Sequence, residues 1–142
     1  MTNLPTLQLE LCYVITGKHL ILDCNGLQSR MNSEQLDVLM REAANAAGAT
    51  IIKSDFHQFG QYQGITGVVM LAESHITVHT WPERNYAAFD IFMCGNCDPK
   101  IAANKIQAAD LLSSCCVRML NRGQQIGQRL EQEQLQRVLD NV

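Results

Sequence analysis

The chain has 142 residues, 46% of them hydrophobic and 18% charged, with a net charge of −3. That balance supports one globular domain with a real core and excludes a disordered polyelectrolyte. With no basic patch, nucleic acid is not an expected partner.

The first seventeen residues, MTNLPTLQLELCYVITG, lack a basic start, and Glu10 interrupts their apolar part. No run reaches the ~18 apolar residues that span a bilayer. The expectation is a cytoplasmic protein with no membrane partner, whose six cysteines are small buried hydrophobes or functional thiols.

An apolar segment around Leu7–Ile15 leads into a short strand, residues 17–23, GKHLILD. Residues 33–49 read as a helix with Ser33 as N-cap, Leu36, Leu39 and Met40 on one face, and Gly48 closing it. Strands are expected at 50–59 and 65–72, joined by the loop GQYQG. The run His75 to Thr80 alternates with period two, which puts His75, Thr77 and His79 on one face and Ile76 and Val78 on the other. The turn WPERN leads to a strand at 86–94, where Tyr86, Asp90 and Cys94 share a face opposite Ala87, Phe89, Ile91 and Met93. Residues 98–114 are expected to be helical, with Pro99 in the first turn, and 115–120 a last strand. The tail, 123–142, reads as a peripheral helix. Together these elements predict an α+β two-layer sandwich, an antiparallel-rich sheet with helices on one face, as a single domain over 1–142.

Several chemistries fail, one on geometry and the others for want of a motif. His75 and His79 with Cys94 and Cys97 resemble a zinc set, but histidines four apart on a strand lie about 13 Å from each other. No metal is expected. Cys94-Gly95-Asn96-Cys97 reads as a turn rather than a thioredoxin-like motif, leaving Cys97 an ordinary loop thiol. A serine-hydrolase elbow is missing around Ser74, and none of the four lysines sits in a pyridoxal-phosphate motif, so that cofactor is not expected either.

The string LAESHITVHTWPE, followed by YAAFDIFMCG and preceded by GKHLILD and QGITGVV, closely resembles bacterial and archaeal S-adenosylmethionine decarboxylases over about residues 17–122. The resemblance implies a proenzyme that cuts itself between Glu73 and Ser74 into a β chain, 1–73, and an α chain, 74–142. Ser74 would become the pyruvoyl group that forms a Schiff base with the substrate, with His79 the processing base and Thr66 the processing hydroxyl, where many relatives have serine. Cys94 matches the proton donor, Glu83 the carboxylate on the ribose, and Phe59 (or Tyr62 in its place) the aromatic on adenine. Trp81 reads as packing, and His75 as either a processing aid or a structural histidine. The product would be the aminopropyl donor for spermidine. The same chemistry on L-ornithine or L-arginine is the nearest alternative, and a non-catalytic binding or regulatory homologue is the alternative from another class.

One consequence follows from spacing alone. Ser74 and His79 stand five residues apart on one strand, about 16 Å, while a base must reach within about 3 Å of its proton. If 65–72 pairs with 75–80 through a tight turn at Glu73, Thr66 falls across from His79–Thr80 and is also far from Ser74. The expectation is a homo-oligomer with active sites shared between protomers.

Overall fold

The computed structural model describes residues 16–141. The segment around Leu7–Ile15 lies outside the described residues. Six strands run in chain order as β1 (Gly17–Asn25), β2 (Ile51–Gln58), β3 (Ile65–Leu71), β4 (Ser74–Trp81), β5 (Tyr86–Cys94) and β6 (Ser114–Arg122). The helices are α1 (Ser33–Ala46), α2 (Pro99–Gln107) and α3 (Gln124–Asp140). All strand pairs are antiparallel, in the order β2-β3-β4-β5-β1-β6.

Alternation decides the two faces. Leu20 and Leu22 of β1, Val69 of β3, Ile76 and Val78 of β4, and Phe89 and Ile91 of β5 are fully or almost fully buried. They pack beneath Leu36, Met40, Ala43 and Ala44 of α1 and Ala102, Ala103 and Ile106 of α2. Each large side chain removed from water contributes about 1.5–3 kcal/mol, so this seam is the main source of stability. Helix α1 lies against β2 and β3, α2 lies against β1 and β5, and the two helices touch each other. The opposite face of the sheet is the more polar one, with Ile21, Val68 and Phe92 set among its titratable and hydroxyl side chains. His19 bonds Asp90 at 2.9 Å, the Tyr86 hydroxyl donates to Asp23 at 2.6 Å, and Arg118 lies 3.7 Å from Asp23.

Three expected boundaries of α1 and α2 move, two for a local reason and one through a contact distant in sequence. The N-cap of α1 is Asn32 rather than Ser33: its side chain accepts from Gln35 N–H, and the Gln35 side chain reaches back to Asn32 N–H. Gly48, at φ 80°, follows the C-cap Ala47, so α1 stops short of residue 49. Helix α2 ends at Gln107 instead of 114, because the Asp110 carboxylate takes the N–H groups of Leu27 and Leu112 and the Ser113 hydroxyl donates to the Asp110 carbonyl. The two bonds within 110–113 compete locally with helix continuation, and the one to Leu27 ties Asp110 to a distant segment.

Gly67 permits a close contact on the helical face of β3. A Cβ there would run into the ring of Phe56, which covers it from β2. Gly67→Val should cost about 1–3 kcal/mol, since Phe56 must leave its place on the core. Thermal unfolding checks it: a midpoint within a degree of wild type would remove Gly67 from the packing account.

Candidate active site

The hairpin tip between β3 and β4 gathers one group of residues. Ala72 N–H donates to the Thr50 carbonyl at 2.9 Å, and Thr50 N–H donates to the Glu73 carboxylate at 2.9 Å. That second bond holds the Glu73 carboxyl below its usual range. Next in the chain, Ser74 sits half-buried with φ 148°, a positive value that L-residues rarely adopt. Such a backbone costs about 1–3 kcal/mol and persists only where its surroundings impose it. The Glu73 carbonyl accepts two bonds from one residue, Cys94 N–H at 3.2 Å and Cys94 S–H at 3.1 Å. Cys97 does not share that carbonyl. Its thiol donates to the Gly48 carbonyl at 3.5 Å, and burial first, then Glu73 and Cys94, push its pKa up.

The far ends of the same two strands gather a second group. Thr66 pairs with His79 in the β3–β4 register, and Thr66 Oγ1 is 3.0 Å from His79 Nδ1. A cleft of about 580 Å³ opens over them, lined by Phe59, Tyr62, Gln63, Gly64, Ile65, Thr66, His79, Thr80, Trp81 and Glu83. The close pass of Gly64 beside the Thr80 carbonyl leaves no room for a side chain and pins the 59–64 loop to β4. Glu83 is carried by the short 3-10 turn Pro82–Arg84, which Asn85 closes in the left-handed region.

The candidates therefore fall into two sets: Glu73, Ser74 and Cys94 at one end of β4, and Phe59, Thr66, His79 and Glu83 at the other. Register runs unbroken along β4, from Ser74 opposite Met93 to Trp81 opposite Tyr86, so no bend brings the sets together within a protomer.

Two contributions escaped the sequence reading. Trp81 is more than packing: it lines the cleft, stacks on Tyr86 at 5.2 Å and lies 6.2 Å from His79. Its alternation with His79 was the available signal. The backbone N–H of Cys94 had no signal, because side-chain chemistry does not report on main-chain donors. His75 lies edge-on to Phe92 at 5.8 Å, and burial first, then His19, lowers its pKa.

The S-adenosylmethionine decarboxylase family model matches residues 18–123. The chain belongs to this family. It is 48% identical over 83 residues to the S-adenosylmethionine decarboxylase proenzyme of Thermosipho melanesiensis, covering 56% of this chain and 62% of that one. It is 50% identical over 82 residues to the proenzyme of Methanococcus aeolicus, covering 56% and 68%. The match thus spans somewhat under two thirds of the Thermosipho relative. The adenosylmethionine decarboxylase crystal structure from Aquifex aeolicus superposes with a TM-score of 0.66 at 34% identity, covering 76% of this chain and 91% of that one. The family fold is the two-layer sandwich described above. Helix α3 lies beyond the family match, and among the described residues no helix is long and apolar enough to cross a membrane.

Proposed function

We propose that the chain is a self-processing decarboxylase of S-adenosylmethionine that works as a symmetric dimer. The observation that carries this is the doubly bonded Glu73 carbonyl ahead of the strained Ser74. Attack of the Ser74 hydroxyl on that carbonyl carbon places negative charge on the oxygen that Cys94 N–H and S–H already hold. Collapse breaks the C–N bond and leaves an ester. Removal of the Ser74 α-proton then breaks the ester C–O bond, releasing Glu73 as a C-terminal carboxylate. The remaining dehydroalanine gains water and loses ammonia to give a pyruvoyl end. Once formed, that group supplies a ketone for the substrate amine and a sink for the electrons released with CO2.

The processing base must come from elsewhere, because His79 of the same protomer is about 16 Å from Ser74. In a dimer built on the polar faces of two sheets, the His79 set of one protomer meets the Ser74 set of the other. With Nδ1–H donating to Thr66 Oγ1, His79 keeps Nε2 free as a base, and the Thr66 hydroxyl proton remains free to donate onward. Glu83 would hold the ribose hydroxyls and Phe59 the adenine, in a cleft whose volume falls in the ordinary range for small-molecule sites. Relatives bearing the S-adenosylmethionine decarboxylase name do not favour ornithine or arginine as substrate.

Intact mass under reducing conditions, together with CO2 release from carboxyl-labelled substrates, tests this reading. The expected result is two fragments, 1–73 and a 74–142 piece blocked by pyruvoyl, with label released from S-adenosylmethionine. A whole chain in active protein, or a free serine on the smaller piece, would refute the processing. Label released only from ornithine or arginine would refute the substrate.

A further inference from the structure

Two thiols unconnected with the proposed chemistry face each other across β1 and β6. Cys24 and Cys115 are register partners, and their Sγ atoms lie 2.7 Å apart. Directly opposed residues of antiparallel strands have Cα atoms about 4.5–5.5 Å apart, inside the span a disulfide bridges. Bond formation therefore needs little movement of the backbone. Cys24 is fully buried, while Cys115 is half-buried at the rim of the core, with the Ser113 hydroxyl 3.4 Å from its sulfur. The pair lies on the helical side of the sheet, so a dimer formed on the polar faces leaves it uncovered. Cys116 points to the other side and has Asp23, not Cys24, as its register partner.

The sheet gives this pair a second meaning. Cleavage between 73 and 74 puts β1, β2 and β3 in one fragment and β4, β5 and β6 in the other. In the order β2-β3-β4-β5-β1-β6, strand β1 is then wedged between two strands of the other fragment. Cys24 belongs to the first fragment and Cys115 to the second.

We propose that Cys24 and Cys115 form a reversible disulfide that covalently joins the two fragments of the processed protein, an inference that rests on the self-cleavage proposed above. With a hydroperoxide as oxidant, the Cys115 thiolate takes one oxygen to give a sulfenic acid, and the peroxide leaves as water or an alcohol. The Cys24 sulfur then attacks the Cys115 sulfur, the S–O bond breaks, and water leaves with the Cys24 proton. Two thiols are oxidised by two electrons and one peroxide bond is reduced. Burial, reinforced by Cys115, holds the Cys24 thiol far above its ordinary pKa, which suits it to the resolving position rather than to first attack. In a reducing compartment the thiol form prevails, and the bond forms on oxidative challenge.

The test treats the purified full-length protein with equimolar hydrogen peroxide, blocks the remaining thiols by alkylation, and weighs the product under denaturing, non-reducing conditions. The expected product is one species carrying the mass of both fragments less two hydrogens, plus four alkyl groups on the other cysteines, which reductant splits into 1–73 and 74–142. Tryptic mapping should show the Cys24 peptide joined to the Cys115–Cys116 peptide, and the melting temperature should rise by roughly 5–10 °C. Cys24→Ala and Cys115→Ala should each let the fragments part without reductant, whereas Cys116→Ala should not. Fragments that separate without reductant in wild type, or a link mapped to another pair, would overturn the proposal; fragmentation of the joined wild-type peptides, which places the alkyl group on Cys116 if Cys115 carries the bond, decides this even if a variant fails to fold. The Ser74→Ala chain, whole by design, keeps the two readings apart: there the bond shows as two alkylatable thiols lost and two hydrogens missing, whether or not wild type is cleaved.

Discussion

Co-expression of Ser74→Ala with His79→Ala should restore cleavage and turnover that neither variant has alone. In a mixed dimer, one site combines the two defective residues, and the other combines an intact Ser74 with an intact His79. Random assortment makes about half the dimers mixed, with one working site in two, so about a quarter of wild-type turnover is expected. The identity of the cut chain adds a sharper readout. Under sharing, the cleaved chain is the one carrying His79→Ala, because its own serine is served by its partner's histidine. If each protomer served itself, neither chain would be cut. The unbroken register of β4 against both neighbours holds the two residues of one protomer apart, since Ser74 lies opposite Leu71 and Met93 while His79 lies opposite Thr66 and Ala88. Verified mixed dimers with no cleavage, or an active enzyme that sediments as a monomer, would count against the shared site.

This separation was legible in the sequence because a strand is a ruler. Period-two alternation fixed the face of His75, Thr77 and His79, and counting back through a tight turn put Thr66 across from His79–Thr80; the observed partner is His79. Capping was legible in principle too. Glutamine stands three places after Asn32, whereas Leu36 stands three places after Ser33, so only Asn32 completes a capping box. Other features depend on contacts distant in sequence. The end of α2 is set by an aspartate that bonds Leu27, 83 positions away. The hold of Cys94 on Glu73 requires β5 to return in one register after the Pro82–Arg84 turn, and the meeting of Cys24 with Cys115 requires β6 to come back beside β1. Local patterns carry no information about either return.

Cys94→Ala should separate making the pyruvoyl group from using it. The thiol is one of two donors on the Glu73 carbonyl, and the backbone N–H of residue 94 survives the substitution. Loss of one oxyanion donor costs about 10²–10³-fold in rate where the donor carries full weight. A thiol is a weak donor, so processing should slow toward the lower end of that range and still run to completion on long incubation. Turnover is a separate matter. After CO2 leaves, the substrate α-carbon must receive a proton, and Cys94 is the group proposed to deliver it at the Ser74 end of the strand. Loss of a positioned general acid costs about 10²–10⁴-fold. Fully processed Cys94→Ala protein, verified by intact mass before assay, should therefore fall in kcat by that factor with KM for S-adenosylmethionine little changed. Cys94→Ser keeps a hydroxyl at the carbonyl and should process faster than Cys94→Ala. Its higher pKa should nonetheless leave it well below wild type in turnover. Wild-type kcat in processed Cys94→Ala would remove Cys94 as the proton donor, and wild-type processing rates would remove its thiol from the stabilisation of the Glu73 carbonyl.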